Sequence, residues 1–101
     1  MNHQALDPLI HAPKRLAVMA VLANSTAANF GFLRDHLGVS DSDLSKQMSA
    51  LERAGYVKVS KTRGPGGATS FQITKAGANA YERHLAALRT IVGDGAPPPG
   101  R

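Results

Sequence analysis

Ser42, Ser45, Lys46, Ser49 and Arg53 recur at steps of three and four residues, so a helix would gather them on one side. Small hydroxyl groups can donate or accept hydrogen bonds at base edges, and cationic groups can hold phosphates. The chemistry open to such a face is therefore recognition of a nucleic-acid duplex. Lys58, Lys61 and Arg63 follow directly. Between Arg53 and Tyr81 the chain carries five cations and no Asp or Glu, so the net charge of +5 is concentrated there. Such a patch attracts a polyanion by releasing its counterions. A charge run alone usually means a solvated hairpin; its attachment to the hydroxyl-rich helix favours nucleic acid.

Those residues need an element to hold them. Ser40 suits an N-cap, with Asp43 three residues on as in a capping box, and Asp41 and Asp43 fall where a helix dipole favours negative charge. Leu44, Met48 and Leu51 make an apolar stripe opposite the polar side. Gly55 ends the helix. Tyr56, Val57 and Val59 then alternate with Lys58 and Ser60 as a strand. Residues 61–67 have the composition of a mobile turn, and Phe71 and Ile73 alternate with Ser70, Gln72 and Thr74 as a second strand.

The remaining chain reads as one modest domain over residues 6–92, after a loose stretch at 1–5 and before a disordered or polyproline tail at 93–101. Leu6, Leu9 and Ile10 suggest a short apolar turn or helix. Pro13 suits the first position of a helix to about Ala23, with Leu16, Met19, Ala20 and Ala23 inward. A turn over 24–29 leaves room for a short strand around Ala27. Phe30, Leu33 and Leu37 face inward on a second helix closed by Gly38, and this helix with the one after Ser40 forms a helix-turn-helix whose second member reads. Thr74 caps a final helix over about 75–92. The predicted class is mainly α with a small β-hairpin (α+β), a winged helix-turn-helix.

On the final helix Tyr81, Leu85, Leu88 and Val92 form a heptad-like seam, and Ala76, Ala80 and Ala87 permit close approach. The seam could pack on its own domain. The smallness of the domain favours a homodimer instead, with Leu6, Leu9 and Ile10 contributing.

Other classes find little support. The chain has no cysteine, which excludes disulfides and thiolate metal sites. No apolar run reaches the ~20 residues of a membrane span. Lys14 and Arg15 precede the apolar stretch 16–23 as in a secretory signal, but Asp7, Pro8 and Pro13 lie upstream and cleavage would remove a core helix. A cytoplasmic location is expected. No nucleophile elbow, phosphate loop or metal-hydrolase spacing occurs, so no catalytic residue, cofactor or enzyme activity is assigned. His3, His11, His36 and His84 are scattered, and Glu82 and His84 are two apart on a helix, so no metal ligands are assigned either.

The segments 9–22, 30–61 and 69–88 together resemble the small stand-alone winged-helix transcriptional regulators related to the MarR and ArsR families. The most specific parts are Asp43-Leu44-Ser45-Lys46 and Leu51-Glu52-Arg53-Ala54-Gly55-Tyr56-Val57, supported by Ile73-Thr74 with Gly77. The resemblance implies a dimer on a palindromic double-stranded DNA operator, each reading helix in a major groove and each wing tip in the flanking minor groove or on the backbone. It implies base or phosphate contacts from Ser42, Ser45, Lys46 and Ser49, with Arg63 at the wing tip. The wing departs from the pattern: its tip reads Gly-Pro-Gly-Gly with one arginine. Sensors of this kind can take a small-molecule effector, but no residue identifies one here. The rival reading is a winged helix used for protein–protein contact, since fold alone does not set function. Apolar or acidic residues in place of Ser45, Lys46, Ser49 and Lys61 would have favoured that rival.

Overall fold

Each helix begins where a side chain or a proline removes the need for a free backbone donor. A computed structural model of the chain describes residues 6–61 and 68–94. Within them, α1 spans Pro13–Ala23, β1 Ala28–Asn29, α2 Phe30–Leu37, α3 Asp41–Arg53, β2 Val57–Lys61, β3 Thr69–Ile73 and α4 Lys75–Asp94. Pro13 opens α1 without a donor to satisfy. Asn29 Oδ1 accepts the N–H of Phe32 at 2.7 Å, Ser40 Oγ that of Asp43 at 3.1 Å, and Thr74 Oγ1 that of Gly77 at 3.0 Å.

The end of α3 is equally local. Gly55 takes φ 80°, its N–H donates to the Glu52 carbonyl at 2.9 Å, and Tyr56 N–H donates to Leu51 at 3.0 Å. This pair of bonds is a Schellman closure, and the left-handed residue inside it favours glycine.

The strands form an antiparallel sheet in the order β1-β3-β2. Val57 pairs with Ile73, Val59 with Phe71 and Lys61 with Thr69, while Ala28 and Asn29 of β1 pair with Phe71 and Ser70. The short strand expected around Ala27 therefore exists, one residue later. Val18, Met19 and Leu22 of α1, Leu33, the Leu44-Met48-Leu51 stripe, Val57, Phe71, Ala80 and Tyr81 fill one core together with Ile10.

Of the two forms open to residues 6–12 the chain takes the turn, because the Asp7 carboxylate accepts the N–H groups of Leu9 and Ile10 and draws the chain round. Three expectations need correcting. Ala23 is exposed, while Val18 and Leu22 point inward beside Met19. Helix α4 runs on through Gly93 to Asp94, since a glycine in a last turn costs only about 1 kcal/mol relative to alanine.

The third concerns rotation of α4. Its buried face is Gly77, Ala80, Tyr81, His84 and Ala87, whereas Leu85 and Leu88 are half-buried, Ala76 is exposed and Val92 is 71% exposed. The small residues let the helix lie close to the domain, turning the leucines to the flank. Ile10 and Tyr81, expected at a dimer interface, are thus taken up by the chain's own core. Among the described residues no helix is long and apolar enough to cross a membrane.

Candidate nucleic-acid interface

Ser42, Ser45, Lys46, Ser49 and Arg53 are all exposed on α3, opposite the buried Leu44, Met48 and Leu51. The amphipathic period turned the polar residues outward, and the core stripe fixes how they face. Gln47 is held at the back. It donates to Asp43 at 3.0 Å and accepts from Arg15 of α1 at 2.8 Å, and Arg15 also donates to the Leu9 carbonyl at 2.6 Å. These bonds brace α3 against α1 and the N-terminal turn.

An open cleft of about 210 Å³ separates α3 from the sheet, with Ser45, Ser49 and Glu52 on one wall and Val59, Lys61 and Thr69 on the other. Met48, Phe30 and Phe71 contribute its apolar lining. Two hydroxyls of α3 and a cation of β2 therefore share one concave surface. Lys58 does not join them. It is exposed and paired with Gln72, and strand alternation puts it on the sheet face away from Val59 and Lys61. Arg63 lies outside the described residues.

The acids near the start of α3 are answered within the chain. Lys14 of α1 pairs with Asp43 at 2.5 Å, and Arg34 of α2 pairs with Asp41 at 3.1 Å and with Asp35 at 3.0 Å. The hydrogen bond from Lys14, then that from Gln47, holds the Asp43 carboxyl below the usual carboxylate range. Among the described residues no ion pair engages Lys46, Arg53, Lys58 or Lys61. The exposed cations of α3 and the wing root remain available to an anion.

On the candidate dimer surface, Leu6 and Leu9 are half-buried, and Leu85, Leu88 and Val92 border an open apolar hollow with Arg89 and Gly93. The sequence reading missed a polar cluster joining Asp7, His11, Tyr56 and His84. One signal could have found it: His84 sits four residues after Ala80 and three before Ala87, in the small-residue stripe rather than outside it.

The family model described as a winged helix DNA-binding domain matches residues 14–92. No curated protein matches the chain. Among solved structures, a transcriptional regulator homologue from Pyrococcus horikoshii OT3 is similar at 27% identity, with 85% of this chain and 86% of that chain covered and a TM-score of 0.81. HlyU from Vibrio cholerae shares 20% identity over 82% of this chain and 83% of its own, with a TM-score of 0.63. ZitR of Lactococcus lactis, a zinc-responsive MarR family member, shares 14% identity over 83% of this chain and 62% of its own, TM-score 0.62. With the exposed polar face of α3, the capped helices and the three-stranded sheet already in place, the chain belongs to the winged helix DNA-binding domain family and shares its fold with MarR-type regulators.

Proposed function

We propose that the chain is a sequence-specific transcriptional regulator that binds a palindromic double-stranded DNA operator as a homodimer. Helix α3 enters the major groove, and the wing over residues 61–68 lies on the flanking backbone or minor groove. The observation that carries this reading is the shared cleft, in which Ser45 and Ser49 face Lys61. Hydroxyls placed at base edges specify sequence, while Lys46, Arg53 and Lys61 add affinity through phosphates. Lys58, on the far sheet face, and Arg63, at the wing tip, supply longer-range attraction or backbone contact.

The second copy packs through Leu85, Leu88 and Val92, with Leu6 and Leu9 at the edge; the exposure of Val92 and the half-buried state of the four leucines support this reading. A two-fold partner puts a second α3 about one helical turn away along the duplex. An effector acting between the dimerisation helices and the reading lobe is compatible with this arrangement, and no residue selects its chemistry. ZitR is described as zinc-responsive; among the described residues of this chain no group of three or more His, Cys, Asp or Glu could hold a metal ion.

Fluorescence anisotropy with the chain's own upstream DNA at two salt concentrations tests the proposal. Affinity falls steeply with salt and one segment is protected from nuclease. A protein-contact module protects no DNA segment at either salt, and that outcome removes the reading.

A further inference from the structure

Asp7, His11, Tyr56 and His84 come from separate parts of the chain and meet at one point. His84 is 0% exposed. Its Nδ1 accepts the backbone N–H of Asp7 at 3.1 Å, so that nitrogen bears no proton and the neutral ring carries its hydrogen on Nε2. Nε2 lies 3.5 Å from Nδ1 of His11, with the rings edge to face and their centroids 5.3 Å apart. The Nδ1 of His11 is then the acceptor, unprotonated in turn. The Asp7 carboxylate completes the set: Oδ1 accepts Leu9 N–H at 2.9 Å and Ile10 N–H at 3.3 Å, and Oδ2 accepts the Tyr56 hydroxyl at 2.7 Å. One network fastens residues 6–12 to α4 and to the α3–β2 junction, and it closes in a single protonation state.

We propose that His84 is a proton-sensitive latch: a proton on Nδ1 expels the Asp7 N–H and frees residues 6–12 from α4. This goes beyond DNA recognition and stands independently of it.

The groups around the ring are Asp7 and His11 from the turn, Tyr56 from the junction, and Arg83 beside it on α4, whose charge acts on Tyr56. The cations of α1 are directed elsewhere, Lys14 to Asp43 and Arg15 to Leu9 and Gln47. Burial, then the second histidine, pushes the His84 pKa below the ordinary 6.5, while the Asp7 carboxylate opposes them less strongly. The closed state thus binds fewer protons than the open one. Closure has full strength above the ordinary histidine value and weakens below it, by up to tenfold in the closed-to-open ratio per pH unit, until the closed-state value is passed. The bond from Arg15 to the Leu9 carbonyl and to Gln47 ties the same turn to α3, so release slackens the brace behind the reading helix.

The test is hydrogen exchange of the whole chain without DNA, from about pH 8 to about pH 5, corrected for intrinsic rates. Protection of residues 6–12 drops with acid in the natural chain. In His84→Asn, whose side-chain oxygen can still accept the Asp7 N–H but cannot take up a proton, the drop is absent. Equal protection across the range, or the same acid loss in His84→Asn, overturns the latch. Should that variant fail to fold, ¹⁵N spectra of His84 in the natural chain decide alone: an Nδ1 that stays without a proton below the ordinary titration range supports the latch, and protonation of Nδ1 at or above that range overturns it.

Discussion

Gly77 on α4 lies so near the carbonyl of Tyr56 that a side-chain carbon there would run into the oxygen and stand 2.9 Å from the carbonyl carbon. The same carbonyl accepts the N–H of Thr74 at 3.0 Å, and Thr74 Oγ1 donates to Gly55 at 2.6 Å, so backbone meets backbone at the start of α4. Helix propensity alone would favour Gly77→Ala by about 1 kcal/mol. The collision reverses the sign. The expected result is a loss of about 3 kcal/mol in denaturant unfolding and a fall of roughly 15 °C in Tm. An unchanged or raised midpoint would show that the close approach is not maintained.

Removing one hydroxyl tests the anchoring of the N-terminal turn. Tyr56→Phe deletes the bond to Asp7 Oδ2 and keeps the ring. A loss of about 1.5 kcal/mol is expected, because the acceptor is a charged, partly buried carboxylate. Urea titration at neutral pH measures it, and a difference within experimental error would mean that water replaces the hydroxyl freely.

On the reader face, Lys46→Ala and Ser45→Ala should behave differently. Losing the lysine lowers affinity for all sequences alike and reduces the log–log salt slope by about 1 if it meets a phosphate. Losing the serine alters base preference at one operator position and leaves the slope alone. Competition binding with a randomised duplex pool separates the two; identical effects would contradict the division of labour.

For the second copy, position along α4 makes the distinction. Val92→Glu puts a charge on the exposed flank and should shift the chain toward monomer in sedimentation at unchanged helicity. Tyr81→Ala instead hollows the core and should cost about 3–5 kcal/mol in stability. If Val92→Glu leaves the mass distribution unaltered, the dimer does not use this flank.

Local signals carried the sequence reading a long way. Ser40 capping α3, Gly38 and Gly55 ending helices, Thr74 before α4 and the alternating strands all depend on neighbours a few residues off, and each stands where expected. The outward stripe of Ser42, Ser45, Lys46 and Ser49 followed from the same periodicity. Longer-range relations were not legible. The rotation of α4 depends on Gly77 meeting Tyr56, two residues whose mutual approach no periodicity encodes. Tyr81, Leu85, Leu88 and Val92 looked like one seam because spacing says which residues align, not which edge of an apolar arc is covered. The bond from Asp7 to His84 spans 77 positions, and its donor is a backbone N–H, invisible to any reading of side-chain types. The placement of Lys58 on the sheet face away from Lys61 was not legible either, because charge was counted without asking which face each cation takes.

Strand β1 is only Ala28–Asn29, yet it ties the start of α2 to Phe71 and Ser70 in the middle strand. Asn29 both pairs with that strand and caps α2, against which α3 packs, so α3 and the root of the hairpin are joined through α2 and move as one piece. A duplex engaging both would be gauged as by a ruler, with the stretch between the two contacts held to constant phase. Inserting a single base pair into that stretch should be refused more firmly than changing the letters within it.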